Sequence, residues 1–218
     1  YLIAVPIGIY SAARQYSFGD RVTTILMFVL YSLPSFWVAT LAIVFLCNVE
    51  YIKIFPTSGI KSLTYDSMTF FEQMKDRFMH FFLPITVSSL GSFAFISRQM
   101  RSSMLEVIRQ DYIRTARAKG LSEKKVIMKH ALRNSLIPIL TLLGGLLPAM
   151  VGGSFIIETI FSIPGVGQLA TQAIFDRDYP IIMAELFLVS FLTVIGILLV
   201  DILYSVVDPR IAFTQKAA

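Results

Sequence analysis

Glu185 and Asp201 are the first candidates for chemistry, because they alone interrupt the otherwise uncharged apolar run from Ile181 to Val207. A carboxylate within hydrocarbon is costly, so such acids are functional suspects by default, and two of them could carry protons. Glu185, however, lies about one turn from one end of the run and Asp201 about two turns from the other. Water or Arg210 can satisfy them there, which favours an interfacial role. A second candidate is Gly165-Val166-Gly167-Gln168-Leu169-Ala170, which formally matches a dinucleotide-binding loop. No strand precedes it and apolar runs flank it, so a nucleotide-binding unit cannot form around it. Pro164-Gly165 instead suits a turn, followed by a short helix from Gln168 to Phe175. His80 and His130 lie at opposite ends of the predicted membrane layout, which excludes a two-histidine site, and Cys47 stands alone in an apolar run, where it suits packing as a small hydrophobe. The chain has no Gly-Lys dipeptide, hence no phosphate loop of the Walker type, and no hydrolase elbow. We expect neither catalysis nor a cofactor or metal in this chain.

The densest chemistry is basic. Between Arg98 and Asn134 ten cations stand against three acids, a net +7. Within it, Asp111 to Gly120 has the signals of a short helix: Asp111 suits the N-cap, Arg117 and Lys119 the last turn, and Gly120 the left-handed position beyond it. Ser122 starts a second helical run with Glu123 in its first turn, continuing through Val126, Ile127, His130 and Ala131. Two helices meeting at Gly120 make an elbow. Tyr112, Ala116 and Lys119 share one face of the first, with Ile113 and Ala118 adding a broad, weak apolar surface. Such a surface can meet anionic lipid or a protein; small residues insert poorly into lipid but permit close approach, which favours protein. Nucleic acid is a poor explanation for the charge, because the segment lies between two membrane spans.

Those spans follow from the distribution of apolar residues. The chain of 218 residues is 56% hydrophobic and 15% charged, too apolar for an ordinary soluble domain. Apolar blocks at 22–47, 78–97, 135–157 and 181–207, the last interrupted by Glu185 and Asp201, are each long enough to cross about 30 Å of hydrocarbon as a helix, and none alternates as a barrel strand would. Tyr1 to Ala13 is too short to span; we expect it to be the inner end of a helix whose start lies upstream, and it lacks the pattern of a secretory signal. Lys and Arg gather in short cytoplasmic loops, so the +7 segment faces the cytoplasm. The connection 48–77 is neutral and 158–180 carries −2, so both face outward, while 14–21 and 208–218 are +1 each and fall on the cytoplasmic side. Charge and parity agree on a single all-α transmembrane domain over 1–218.

The third span contains Pro138, Gly144, Gly145, Pro148, Gly152 and Gly153. So many helix breakers leave backbone groups needing partners, which predicts a span inside the protein, either lining a solute route or packing closely on other helices. Ser88, Gly91, Ser92 and Phe95 share one face of the second span, again a helix interface or a pore lining. Pro34 divides the first span and is placed to kink it.

The run DYIRTARAKGLSEKKVIMKHALRNSLIP, Asp111 to Pro138, resembles the cytoplasmic signature of the oligopeptide/dipeptide class of permeases in ATP-binding-cassette importers. FSIPGVGQLATQAIFDRDYP, Phe161 to Pro180, and DILYSVVDPRI, Asp201 to Ile211, are similar to that class too. The general importer signature has Glu-Ala-Ala, three residues, then Gly; here Arg114-Thr115-Ala116 precede Gly120, and Ile137-Pro138 closes later, features that suit the peptide subclass. The resemblance implies a type I importer transmembrane domain in a bacterial inner membrane. Asp111, Tyr112, Arg114, Thr115, Ala116, Arg117, Ala118, Lys119 and Gly120 would then form a coupling helix that fits a groove on a separate ATPase. It implies as partners a second permease, two ATPase subunits that bind ATP and Mg, and an extracytoplasmic solute-binding protein. Ser88, Ser92, Gly144, Gly145 and Pro148 are the candidates for the translocation path. The solutes of the class include dipeptides, longer peptides, glutathione and nickel complexes. The competing reading is a self-contained secondary transporter or channel using Glu185 and Asp201. It would ordinarily show more spans and an inverted repeat, and no repeat is apparent.

Overall fold

The computed structural model describes residues 1–207, and within them every regular element is helical. In chain order, α1 is Ala4–Ala13, α2 Phe18–Ser32, α3 Ser35–Leu46, α4 Phe70–Ile108, α5 Asp111–Ala118 and α6 Glu123–Lys125. A π-helical turn, Val126–Ala131, leads into α7 (Leu132–Ser135), α8 (Ile137–Leu143), α9 (Leu146–Gly152), α10 (Phe155–Ile160), α11 (Val166–Asp176) and α12 (Tyr179–Val207). Helices long and apolar enough to cross a membrane occupy Phe70–Ile108, Ile137–Ile160 and Tyr179–Val207, and the bent pair α2 and α3 passes the same test together. Arg210 and the rest of 208–218, including the end of the DILYSVVDPRI motif, lie outside the described residues.

Sequence punctuation explains most boundaries. At Pro34 the ring removes a backbone donor, and the chain bends by 96° between α2 and α3. Pro84 lies inside α4 without ending it, and the Ser88 hydroxyl bonds to the Pro84 carbonyl at 2.7 Å. Helix α4 has 39 residues and runs well past the 78–97 block, so Arg98 to Ile108 extend it as a stem that leads to α5. The glycine-rich third span is divided where the breakers fall, at Gly144-Gly145 and at Gly153, which has φ +64°. The expectation that this span is interior needs correction for the single chain, since only 11% of its apolar window is buried.

The chain forms two compact units. The first comprises 1–29, 93–149 and 189–207. Its core is the inner part of α4, where Met100 and Met104 are fully buried, packed with Ala12, Ile113, Ala116, Val126, Ala131 and Ile139. Glycine allows the closest contacts: a Cβ at Gly8 would lie 2.6 Å from the Met100 Cβ, and one at Gly196 in α12 would lie 2.1 Å from the Gly144 carbonyl oxygen. The second unit comprises 30–92 and 150–188 and is built on Ala39, Leu83, Val87, Ile157 and Phe161. Cys47 is buried in that core as the small hydrophobe its surroundings suggested.

Candidate functional site

The α5 elbow is the most completely constructed feature of the basic segment. Gln110, with extended backbone at φ −70° and ψ 151°, occupies the N-cap position, so Asp111 is the first helical residue rather than the cap expected from its type. Its carboxylate faces Arg114 Nη1 at 3.3 Å and still places negative charge in the positive first turn. At the other end Gly120 has φ +75°, as its position demanded. The Gly120 N–H donates to the Arg117 carbonyl at 2.9 Å and the Leu121 N–H to the Ala116 carbonyl at 3.4 Å, the paired bonds of a Schellman stop. A Cβ on Gly120 would meet nothing within 4 Å, so only its backbone conformation requires glycine.

One face of α5 is locked inward. Ile113 is 0% exposed and Ala116 6%, both against the α4 stem core, while Asp111, Arg114, Thr115 and Ala118 stand on the opposite, exposed side with Tyr112, Arg117 and Lys119 also exposed. Ala116, expected on an outer face from its spacing, is therefore a core residue, and the side of α5 opposite it is formed by 111, 114, 115 and 118. Two side-chain ties hold the helix from outside. Asn134 Nδ2 donates to Tyr112 Oη at 2.8 Å, and Arg117 grips both oxygens of Glu123 at 3.0 and 2.7 Å across the Gly120 turn. The Arg117 guanidinium holds the Glu123 carboxyl below its ordinary range. That pair is partly exposed and worth about 1 kcal/mol or less, so it sets direction more than stability.

Behind the elbow, at the start of α2, a second cluster forms that the sequence did not announce. Arg101 on α4 binds Asp20 through two nitrogens, Nε to Oδ1 at 2.8 Å and Nη2 to Oδ2 at 3.0 Å. The Ser11 hydroxyl also donates to Asp20, and the Tyr16 N–H reaches it at 2.9 Å, holding Tyr16 at φ +66°. Ser11, Thr23, Thr24, Met27, Arg101 and Glu106 are among the walls of a cleft of about 760 Å³ in this unit.

The path candidates separate. Ser88 and Ser92, in the second unit, line a groove of about 430 Å³ with Leu33, Val38 and Gly91, where a Cβ on Gly91 would meet nothing within 4 Å. Gly144, in the first unit, is buried against Gly196 and Val200, which makes it a packing residue. Gly145 is exposed and Pro148 half-buried. Glu185 and Asp201 are 16 positions apart on α12, about 24 Å along the helix, and Asp201 is exposed. Among the described residues no group of three or more His, Cys, Asp or Glu could hold a metal ion. Helix α11 runs Val166–Asp176, starting two residues before the Gln168 expected, and amides of its first turn hold the chain's own Glu158 carboxylate.

The fold is that of a polytopic helical membrane protein. The model of the family described as binding-protein-dependent transport system inner membrane component matches residues 4–213, and the chain belongs to that family. It is 42% identical over 213 residues to the oligopeptide transport system permease protein AppB of Bacillus subtilis (strain 168), covering 97% of this chain and 65% of that protein. It is also 42% identical over 211 residues to the dipeptide transport system permease protein DppB of the same organism, covering 96% and 63%. The inner membrane ABC transporter permease protein YejB of Escherichia coli O157:H7 is 35% identical over 220 residues, covering 99% and 60%. The chain thus spans a little under two thirds of the length of the curated relatives it matches.

Proposed function

We propose that this chain is part of a permease subunit of an ATP-binding-cassette importer. With a second permease it forms the route for peptides or similar small solutes, which an external binding protein delivers. The chain itself is non-catalytic and carries no nucleotide, and two partner ATPases bind ATP and Mg and supply the energy. Relatives named as oligopeptide and dipeptide permeases support the solute class.

The observation that carries the reading is α5 itself. It is an 8-residue helix whose inner face is fixed in the core by Ile113 and Ala116 and whose outer face is free for a partner. A lever must be stiff where it joins the permease and accessible where it is pushed, and α5 meets both requirements. Asp111, Arg114, Thr115 and Ala118 form the proposed ATPase contact, with Gly120 fixing the angle of the elbow.

Two variants of the full-length chain in the assembled complex test this. Ala118→Glu puts charge on the outer face while keeping a good helix former. Gly120→Val strains the turn by about 1 kcal/mol or more, because a β-branched residue is costly at positive φ. Peptide uptake should fall far more than membrane insertion, with loss of co-purifying ATPase or of solute-stimulated hydrolysis. Wild-type uptake by both variants would return the helix to the lipid-surface reading.

A further inference from the structure

The loop that looks like a dinucleotide site is a seat for a carboxylate. Glu158, on α10, is 8% exposed and is bound by backbone amides. Oε1 accepts from the Ser154 N–H at 2.9 Å and the Gly167 N–H at 3.3 Å, and Oε2 from the Gln168 N–H at 2.7 Å. Ser154 is the N-cap residue of α10, while Gly167 and Gln168 lie in the first turn of α11. One carboxylate therefore caps two helices.

An N-cap side chain ordinarily supplies the oxygen that satisfies the second or third amide of its own helix. The N-cap residue of α11 is Gly165, which has no side chain to offer. Glu158 supplies that oxygen from α10, and the surrounding glycines leave room for it. A Cβ on Gly165 would lie 2.3 Å from the Glu158 Cδ, one on Gly153 2.4 Å from Oε1, and one on Gly167 2.6 Å from the Phe155 nitrogen. Gly153 also takes φ +64°, a conformation that suits glycine. Gly153 and Gly165 thus leave room for the carboxylate, while Gly167 lets the start of α11 approach the Ser154 and Phe155 backbone, and together they place a negative charge against the amide dipoles at the start of α11.

We propose that Glu158 is a positioning residue of the transport cycle: its seated carboxylate fixes α11 to α10 at the outward end of the permease, and transport depends on that charge rather than on the bulk of the side chain. The proposal rests on the permease reading above. The charge is bonded to N–H groups rather than buried as an ion pair, so an amide side chain cannot replace it. In Glu158→Gln the amide keeps one accepting oxygen but turns an NH2 group toward at least one of the donors.

The test uses the full-length chain in its complex, reconstituted in proteoliposomes with the binding protein, and reads uptake of labelled trialanine per inserted complex. Glu158→Gln should lower that specific uptake about tenfold. Glu158→Ala should lower it as well and be partly restored by millimolar formate, which can occupy the vacated seat, but not by formamide, which is neutral. Gly165→Ala, which keeps the charge but denies it room, should show the same defect without formate rescue. In parallel, formate should raise the unfolding temperature of the detergent-solubilised Glu158→Ala chain and leave wild type unmoved. A purely structural role would lower the amount of inserted complex while leaving uptake per complex unchanged. That outcome, or wild-type uptake by Glu158→Gln, or the absence of formate rescue in both measurements, overturns the proposal. Absence of trialanine uptake already in wild type would instead count against the peptide part of the permease reading, while the formate effect on unfolding would still decide whether the seat exists.

Discussion

At the scale of single residues, the Asp20 and Arg101 pair shows how much of a helical membrane protein rests on a few polar contacts. Asp20 is 3% exposed and satisfied by Arg101, Ser11 and the Tyr16 N–H. Removing the cation alone leaves a buried carboxylate without its main partner, a change that costs about 3 kcal/mol or more. We expect Arg101→Met to lower the unfolding temperature of the solubilised full-length chain markedly. Asp20→Asn combined with Arg101→Met should recover part of the loss, because the stranded charge is then gone. Equal stability of Arg101→Met and wild type would show that the pair carries no structural weight. The sequence could not have supplied this pairing: the partners are 81 positions apart, and each was absorbed into a charge count for a different connection. Glu158 was likewise only one of the acids of an outward loop. Gly120 was legible because left-handed backbone after a basic helical turn leaves glycine as the natural choice, whereas side-chain burial is not a local property. Ala116 shows the difference, having a spacing that suited an outer face and a location in the core.

At the scale of elements, Pro and Gly act locally on the backbone, and the helices break at Pro34, at Gly144-Gly145 and at Gly153. The extension of α4 was hidden because Arg98 to Ile108 is polar enough to read as a connection. Packing partners were hidden too, and α8 with α12 is the clearest case. Gly196 approaches the Gly144 backbone so closely that a Cβ would lie 2.1 Å from the carbonyl oxygen, and backbone cannot yield as a side-chain tip can. Small residues permit this kind of close helix contact in membranes. Gly196→Ala should therefore separate the helices, at about 1–3 kcal/mol, and reduce the folded fraction on fluorescence-detected gel filtration. Gly91→Ala is the matched control, since its Cβ would meet nothing within 4 Å and alanine is the better helix former. If both variants ran as wild type, the α8 and α12 contact would be looser than its geometry indicates.

At the scale of the whole molecule, the sequence carries orientation more directly than the packing does, because a bilayer acts on charge distribution rather than on contacts. The Arg98 to Asn134 segment carries +7 and the 158–180 connection −2, an asymmetry that predicts a cytoplasmic elbow. The fold makes this testable with little background. Ser122, at the start of α6, and Ser58, in the connection between α3 and α4, are both exposed, while Cys47, the one cysteine of these 218 residues, is 3% exposed. In intact cells expressing the full-length chain, an impermeant maleimide should label Ser58→Cys and spare Ser122→Cys, and the pattern should reverse in inside-out vesicles. Neither substitution touches the core, so loss of folding does not compete as an explanation. The outcome bears on the coupling assignment as well as on topology, because ATPase subunits on the cytoplasmic side can reach α5 only if the Gly120 elbow is there. Labelling of residue 122 from outside would invert the layout, remove α5 from reach of any cytoplasmic ATPase, and leave the basic segment to be explained by the external surface it would then face.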